Sequence, residues 1–219
     1  RRMHNKSFTV DSQATILGGR NIGNEYFEAD PDLAFADLDV IGVGPVARDV
    51  STAFDLYWNS ELAYPVSVLA EGTPTPEETA RKRQQLNDFA AAQADSGYLR
   101  ALRNSDLADR MRKNQVRYSW GNAVVLYDRP EKMLHEAGEK QYQLAPQLKP
   151  YVEGVQKELI LFSPYFVPGE AGTAFLTGLA ARGVRVRILT NSLASNDVSI
   201  VHAGDARYRQ PLLRGGVEL

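Results

Sequence analysis

The residues best suited to chemistry stand near the start of the chain, in "HNKSFTVDSQATILGGRN" at positions 4 to 21. His4 carries an imidazole, the side chain best suited to serve as a nucleophile or as a general acid or base near neutral pH. Lys6 adds a compact positive charge, and Asp11 ends the predicted strand, where it could orient an imidazole. Gly19 lets a backbone N–H approach a ligand closely, and Asn21 adds a side-chain amide. This set of groups suits an anion such as a phosphate, which His4 would attack or protonate.

Side-chain alternation along the predicted strand adds a second observation about this motif. One face of the strand holds His4, Lys6, Phe8 and Val10. The two apolar residues predict that this face is buried. Because a buried ammonium group is costly without a counter-ion, either this face opens onto solvent at its start or an anion lies opposite Lys6. An isolated His-x-Lys at an exposed strand end would need no function, so the interpretation depends on the longer pattern.

The elements around the motif form a compact series of strands and one helix. The runs "RRMHNKSFTV" and "QATILGG" predict a β-hairpin around Asp11 and Ser12, and "LDVIGVG" predicts a third strand. The helix "PVARDVSTAFDLYWNS" follows. Its predicted apolar stripe is formed by Val46, Val50, Phe54 and either Tyr57 or Trp58.

Residues 71–116 differ in composition from the segments on either side. They contain prolines and many charges, and Thr75 with Glu78 fits a capping box with Pro76 at the first helical position. We interpret this segment as a linker and surface helix, and the basic run at residues 81–83 as a solvated helix face.

Alternation of strands and helices resumes at about residue 117. The predicted strands are "NAVVLYD", "ELILFSPYF" and "VRVRILT", and the predicted helices are "APQLKPYVEGV", "TAFLTGLAARG" and residues 196–214. Some of these strands are apolar on both faces, which predicts an α/β fold with a mixed sheet flanked by helices on both faces. Residues 1–70, 71–116 and 117–219 are the predicted divisions of the chain.

Composition limits the classes of protein that remain. The chain has 219 residues, 43% of them hydrophobic and 24% charged, with a formal net charge of −2. This is enough to build one large domain or two small ones, and the charge gives no global attraction to nucleic acid. The absence of cysteine excludes disulfides and thiolate metal sites, and three scattered histidines do not indicate a metal cluster.

The full pattern resembles the signature of the phospholipase D superfamily, H-x-K-x4-D followed six residues later by G-[G/S]-x-N. Every spacing fits, with Gly19 where many members have serine. Further stretches that look like the family are "GPVARDVSTAFDLYWNS", "SPYFVPG" and "GLAARGVRVRILTNS". The resemblance covers nearly the whole chain and is strongest to the bacterial cardiolipin synthase branch.

The resemblance implies two pseudo-symmetric halves with one site between them, holding two such histidines and no metal or cofactor. One histidine forms a phosphohistidine and the other protonates the leaving alcohol. Carried over by position, His4 is one catalytic histidine, Lys6 and Asn21 bind the phosphate, and Asp11 is a supporting acid. Asp37 is a weaker candidate for the acid that steadies a catalytic imidazole.

The sequence departs from the family pattern because no second H-x-K-x4-D occurs in it. We therefore expect both halves to be incomplete, with the second motif supplied by the rest of a longer chain or by a partner chain. Asn191, after a predicted strand, and His202 are weaker candidates for contact with a substrate headgroup, because α/β sites gather residues at strand ends.

The resemblance favours a phosphatidyltransferase, with phosphatidylglycerol and possibly phosphatidylethanolamine as substrates. Such an enzyme would contact the bacterial cell membrane peripherally, on its cytoplasmic side, and the segment alone would be inactive. One alternative is a phosphodiesterase acting on nucleic acid, against which the net charge argues. A second alternative is a non-catalytic module that binds a phosphate or a lipid headgroup.

Overall fold

The computed structural model describes residues 4–30, 32–70, 72–136, 139–192 and 199–219. Its mixture of sheets and helices confirms the predicted α/β class. The chain divides into two compact units, Arg1–Gln143 and Leu144–Leu219, and each has its own sheet. The divisions predicted at residues 71 and 117 stay predictions.

The sheet of the first unit is antiparallel, with the strand order β1-β2-β3. Its strands are β1 (Ser7–Val10), β2 (Ala14–Leu17) and β3 (Val40–Val43), which confirms the predicted hairpin and third strand. Asp11 and Ser12 form the turn with φ values of 51° and 53°, as a type I′ turn requires of both central residues.

A helix, α1 (Pro45–Trp58), covers one face of this sheet. Gly44 has a φ of 80°, a conformation that glycine adopts without strain, and it turns the chain from β3 into the helix. The helix buries Ala47, Val50 and Ala53, and the sheet buries Thr15. These are small side chains, so the helix lies close to the sheet.

Of two predictions about apolar faces in this unit, that for β1 is wrong and that for α1 holds in part, since Val50 of the predicted stripe is buried. Phe8 is 68% exposed and Val10 is 49% exposed, because α1 covers the opposite face of the hairpin, where the Thr9 and Thr15 hydroxyls hydrogen-bond at 2.8 Å. On α1 itself, Phe54 and Trp58 are exposed and stack on each other with 5.7 Å between ring centroids. The helix packs through its small residues instead.

The rest of the first unit is helical or irregular. Its helices are α2 (Val66–Leu69), α3 (Pro76–Gln93), α4 (Gly97–Arg103) and α5 (Asp106–Arg112), with 3₁₀ turns at Asn24–Tyr26, Pro130–Met133 and Lys140–Tyr142. The predicted capping box is confirmed, since Thr75 and Glu78 bond each other's backbone N–H groups. The predicted strand "NAVVLYD" is wrong, because no strand in the described part of the chain pairs with it.

The sheet of the second unit is a parallel pair, β4 (Glu158–Phe162) and β5 (Arg185–Leu189). The helices of this unit are α6 (Leu144–Glu153), α7 (Gly169–Ala181) and α8 (Ser199–Arg214). α7 connects the two parallel strands, as such a crossover requires. Beyond α8, Glu218 bridges to Arg187 in parallel. Residues 196–198, where the last helix was predicted to begin, lie outside the described residues.

A well-formed apolar core fills one side of this second sheet. Its buried members are Phe166, Leu176, Leu179, Val184, Val186, Ile188, Leu212 and Val217. On the other face Ile160, Phe162 and Leu189 are exposed. Among the described residues the apolar core of this unit therefore lies on one face of the sheet. No helix in the described ranges is long and apolar enough to cross a bilayer.

Candidate active site

Most of the signature residues leave the first sheet at the same end. His4 and Lys6 precede β1, whereas Gly19 and Asn21 follow β2. The two strands are antiparallel with Ser7 opposite Leu17. The residues before one strand and after the other therefore come together at one end of the sheet.

Asp11 is the exception among the signature residues. It lies in the turn at the far end of the hairpin, so the whole of β1, about 13 Å long, separates it from Lys6 and His4. The interpretation of Asp11 as an acid that orients the His4 imidazole does not fit this geometry. Its position at positive φ points instead to a role in the turn, which aspartate tolerates better than most residues.

The side chains of His4 and Lys6 differ in their surroundings. His4 is exposed, and Lys6 is half-buried. The Lys6 ammonium donates to the His4 carbonyl at 3.2 Å, and no carboxylate in the described part of the chain pairs with it. A neutral partner leaves its charge available to an anion.

The glycine loop lies directly against the segment that leads into β3. A Cβ atom on Gly18 would overlap the Asp39 carboxylate, and one on Gly19 would lie 2.5 Å from Asp37 Oδ2. At both positions an aspartate carboxylate packs against the glycine backbone, and a Cβ atom would require that carboxylate to shift. The sequence alone suggested a different reason for the glycines, the close approach of a ligand.

Arg20 holds this loop in place, and the sequence interpretation missed it. Its Nε donates to Asp39 Oδ2 in an ion pair, and its terminal nitrogens donate to the carbonyls of Tyr26 and, at 3.3 Å, of Asp37. The guanidinium carbon also lies 6.0 Å from the centre of the Phe27 ring. The sequence feature that could have indicated this role is an arginine inside a glycine loop, followed by two aspartates just before the next strand.

Asn21 and Asp37 lie at the same end of the sheet as the histidine motif. The Asn21 amide donates to the Tyr26 hydroxyl at 2.7 Å, and Asn21 is exposed. Asp37 Oδ1 accepts from the Leu38 backbone N–H at 2.7 Å. Among the described residues no hydrogen bond joins Asp37 to the His4 imidazole, so the role proposed for Asp37 has no contact to support it.

Asn5, between the histidine and the lysine, connects the motif to α1. Its side chain hydrogen-bonds the Tyr57 phenol, which itself donates to the Asp128 carbonyl. Burial raises the pKa of this phenol, and the Asn5 hydrogen bond opposes that shift in part.

The candidates in the second unit are less informative. Asn191 follows β5, is half-buried, and accepts a hydrogen bond at its carbonyl from Arg209 at 3.1 Å. His202 lies in α8, and its side chain lies outside the described residues. The roles suggested for them stay predictions.

Comparison with known proteins identifies the relatives of this chain. Cardiolipin synthase C of Escherichia coli K12 is 42% identical over 225 residues, an alignment that covers all of this chain and 46% of that protein. This chain is a homologue of the cardiolipin synthases. These relatives are consistent with the resemblance to the phospholipase D superfamily and its cardiolipin synthase branch.

More distant relatives of this cardiolipin synthase homologue agree. Cardiolipin synthase A of Pseudomonas syringae is 27% identical over the whole chain and 35% of its own length. Among solved structures, phosphatidylserine synthase of Haemophilus influenzae covers 97% of the chain and 44% of its own, with a TM-score of 0.54 and 19% identity, which supports the fold. No protein-family model matches. The homologue spans less than half the length of these relatives.

Proposed function

We propose that this cardiolipin synthase homologue acts as a phosphatidyltransferase through a phosphohistidine intermediate. The observation that carries the proposal is the 42% identity to cardiolipin synthase C along the entire chain. The exposed His4 beside an available Lys6 charge, at the end of the sheet where the glycine loop also lies, supports it.

The proposed reaction has two displacements at phosphorus. In the first, a histidine ring nitrogen bonds to the phosphorus of a phosphatidyl donor, the bond to the leaving alcohol breaks, and a second histidine protonates that alcohol. In the second, the hydroxyl oxygen of an acceptor lipid attacks the same phosphorus, its proton passes to the second histidine, and the P–N bond breaks, which returns both histidines to their starting states. His4 is one of the two histidines in this proposal.

The other signature residues act on the phosphate oxygens. Lys6 and the Asn21 amide donate to oxygens that gain charge in the transition state, and the Gly19 backbone N–H adds a neutral donor. Arg20 supports these donors by holding the glycine loop against Asp39 through its ion pair. No step requires a metal or a cofactor.

The second histidine is the missing component of this site. The sequence has a single H-x-K-x4-D, so the proposal requires another motif, from elsewhere in the natural protein or from a partner chain. The 219 residues alone would then be inactive. The single motif also keeps one alternative open, a module that binds a phosphate or lipid headgroup without turnover.

The proposed substrates are phospholipids, with phosphatidylglycerol as acceptor and either phosphatidylglycerol or phosphatidylethanolamine as donor. These lipids lie in membranes, so we propose peripheral contact with the bacterial cell membrane from its cytoplasmic side. A nucleic-acid phosphodiester is a less favoured substrate because the chain carries a net charge of −2.

The experiment is a phosphatidyl-transfer assay of the natural full-length protein in mixed micelles of phosphatidylglycerol and phosphatidylethanolamine, without added metal. We expect cardiolipin to form, and His4→Ala to lower the rate by roughly 1,000-fold or more. Lys6→Ala should cost about 100-fold, because one donor to the developing charge is lost.

His135→Ala is the matched control, since His135 stacks on Tyr142 and contacts Glu139 and is not part of the signature. It should transfer at the wild-type rate. If the folded wild type cleaves bis-p-nitrophenyl phosphate or DNA but forms no cardiolipin, the assigned substrate is wrong. If it binds lipid headgroups but turns over nothing, the binding module replaces the enzyme.

A further inference from the structure

The long helix of the first unit, α3 (Pro76–Gln93), buries none of its residues. Helices in folded proteins usually bury one face, because their stability depends more on packing than on propensity. An 18-residue helix exposed on all sides therefore raises the question of what its surface contacts.

One face of α3 combines positive charge with large apolar groups. It is formed by Lys82, Arg83, Leu86 and Phe89, whose spacings of three and four residues put them on the same side of the helix. Leu86 is 69% exposed and Phe89 66% exposed. Asp88 lies on the opposite side, where it accepts a hydrogen bond from Gln84 at 2.7 Å. We call the first four residues the basic face of α3.

The charges on this face are available for a partner. In the described part of the chain no carboxylate pairs with Lys82 or Arg83. At α5, by contrast, Arg110 pairs with Asp106 at 2.6 Å, and Lys113, the residue directly after the helix, pairs with Asp109 at 2.7 Å. Two positive charges beside two apolar side chains complement a surface that is negative outside and apolar beneath.

The helix just before α3 adds apolar groups to the same segment. Around α2 (Val66–Leu69) the side chains of Tyr64, Val66, Val68 and Leu69 are between 67% and 79% exposed. Tyrosine is common at the boundary between lipid and water because its ring is apolar and its hydroxyl is polar. A partner with an accessible apolar layer would accommodate these groups.

We propose that residues 64–70 and 72–89 dock on an anionic phospholipid surface, with the basic face of α3 contacting the lipid phosphates and α2 contacting the acyl boundary. This inference rests on the proposed function, because the lipids of such a surface are the proposed substrates. It assigns the membrane contact to particular residues outside the catalytic motif. It also replaces the interpretation of this helix as a merely solvated one.

The test is flotation of the natural full-length protein with vesicles of phosphatidylcholine, with and without phosphatidylglycerol. We expect flotation only with phosphatidylglycerol, and a marked loss in high salt because screening shortens the range of the charges. The double variant Lys82→Gln/Arg83→Gln should lower the partition constant by about five-fold per residue, or roughly 25-fold in total.

The double variant Arg110→Gln/Lys113→Gln is the matched control, because it removes the same charge at α5. It should float like the wild type. Phe89→Ser should also weaken flotation, and since Phe89 is exposed, its loss removes no buried packing.

Three outcomes would overturn the inference: no effect of the α3 double variant, an equal effect of both double variants, or absent flotation with binding to a DNA oligonucleotide that only the α3 variant loses. Flotation requires no turnover. A protein that floats as expected but forms no cardiolipin would contradict the proposed function alone. One that forms cardiolipin but floats equally well with the α3 variant would contradict the docking alone.

Discussion

The two units of the chain bury different kinds of side chain against their sheets. The first sheet meets its helix through Thr15, Ala47, Val50 and Ala53, whereas the second buries leucines, isoleucine and valines around Leu179 and Leu212. Apolar burial stabilises in proportion to area, so the second unit gains more from its core. The histidine motif belongs to the unit with the thinner core.

Polar contacts take a larger share in the first unit. The Thr9 and Thr15 hydroxyls meet inside the sheet, and the Ser12 and Ser51 hydroxyls join the hairpin turn to α1 at 2.8 Å. Hydrogen bonds require particular distances and angles, so these contacts hold the ends of the hairpin in place although few apolar side chains are buried there. We therefore expect the second unit to be most sensitive to lost volume, and the first to changes of shape and hydrogen bonding.

The largest expected effect is a cavity in the second core. Leu212 is fully buried, so Leu212→Ala should lower the free energy of unfolding of that unit by about 3–5 kcal/mol. Leu213→Ala, the adjacent exposed position, should change it by less than about 0.5 kcal/mol. Urea unfolding with hydrogen exchange would assign the loss. Equal acceleration of exchange in both units would show that the contrast between them is false.

The next effect concerns shape in the first unit. Gly18→Ala would push a methyl group into the Asp39 carboxylate, which Arg20 holds, and should cost about 2 kcal/mol. Gly178→Ala, in α7, meets nothing within 4 Å and should stabilise by up to about 1 kcal/mol. Thermal unfolding of both variants would check the signs. If Gly18→Ala left the unfolding temperature unchanged, the glycine loop would be able to move away from the added methyl group at little cost.

Local signals in the sequence predicted much of this fold. The hairpin, the capping box at Thr75 and Glu78, and the end of α7 before Gly183 each depend on a few neighbouring residues. The buried side of α1 was predicted only in part, at Val50. Its stripes of Phe54 with Trp58 and of Ala47 with Val50 both have helical spacing, and the choice between them is made by the small groups that the sheet presents.

The candidate site shows the same division. The spacing from His4 to Asn21 was visible because it lies in one continuous stretch. Two interactions of this stretch involve residues outside it: Arg20 pairs with Asp39, and Asn5 hydrogen-bonds Tyr57. Because these partners are distant in sequence or common in type, no local pattern indicates them. The strand predicted at "NAVVLYD" failed because strands need neighbours that propensity alone does not reveal.

A smaller effect on the free energy of unfolding is expected in the first unit at alkaline pH. Burial raises the pKa of Tyr57, so the folded state favours the neutral phenol. Its stabilisation is complete below the ordinary tyrosine pKa of about 10 and is lost as pH rises through the higher folded value. Tyr57→Phe should remove this alkaline dependence and cost about 1 kcal/mol at neutral pH through the lost hydrogen bonds.

Urea unfolding of wild type and Tyr57→Phe across the alkaline range would measure this dependence. Tyr64→Phe, at an exposed position, is the control and should behave as wild type. An alkaline loss that survives in Tyr57→Phe would assign it to another group.

The smallest effect lies at acid pH in the second unit. The hydrogen bond from Arg185 lowers the pKa of the Glu218 carboxyl. The stabilisation is therefore present above the ordinary glutamate value of about 4.3 and is lost as pH falls through the lower folded value. Glu218→Gln should slightly reduce the loss of that unit's unfolding free energy at acid pH. Added salt should have the same effect on the wild type. A chemical-shift titration of Glu218 that shows no downward displacement would contradict this.

The connection between strands also sets the order in which the two sheets can form. In the first hairpin, paired residues are no more than ten positions apart, as between Ser7 and Leu17. In the second sheet, Glu158 pairs with Arg185 only after α7 has crossed over. Hairpins close within about 1–10 μs, whereas distant parallel pairs wait for longer loops to close. The stretch that carries His4 and Lys6 therefore acquires its register while the larger core is still being assembled.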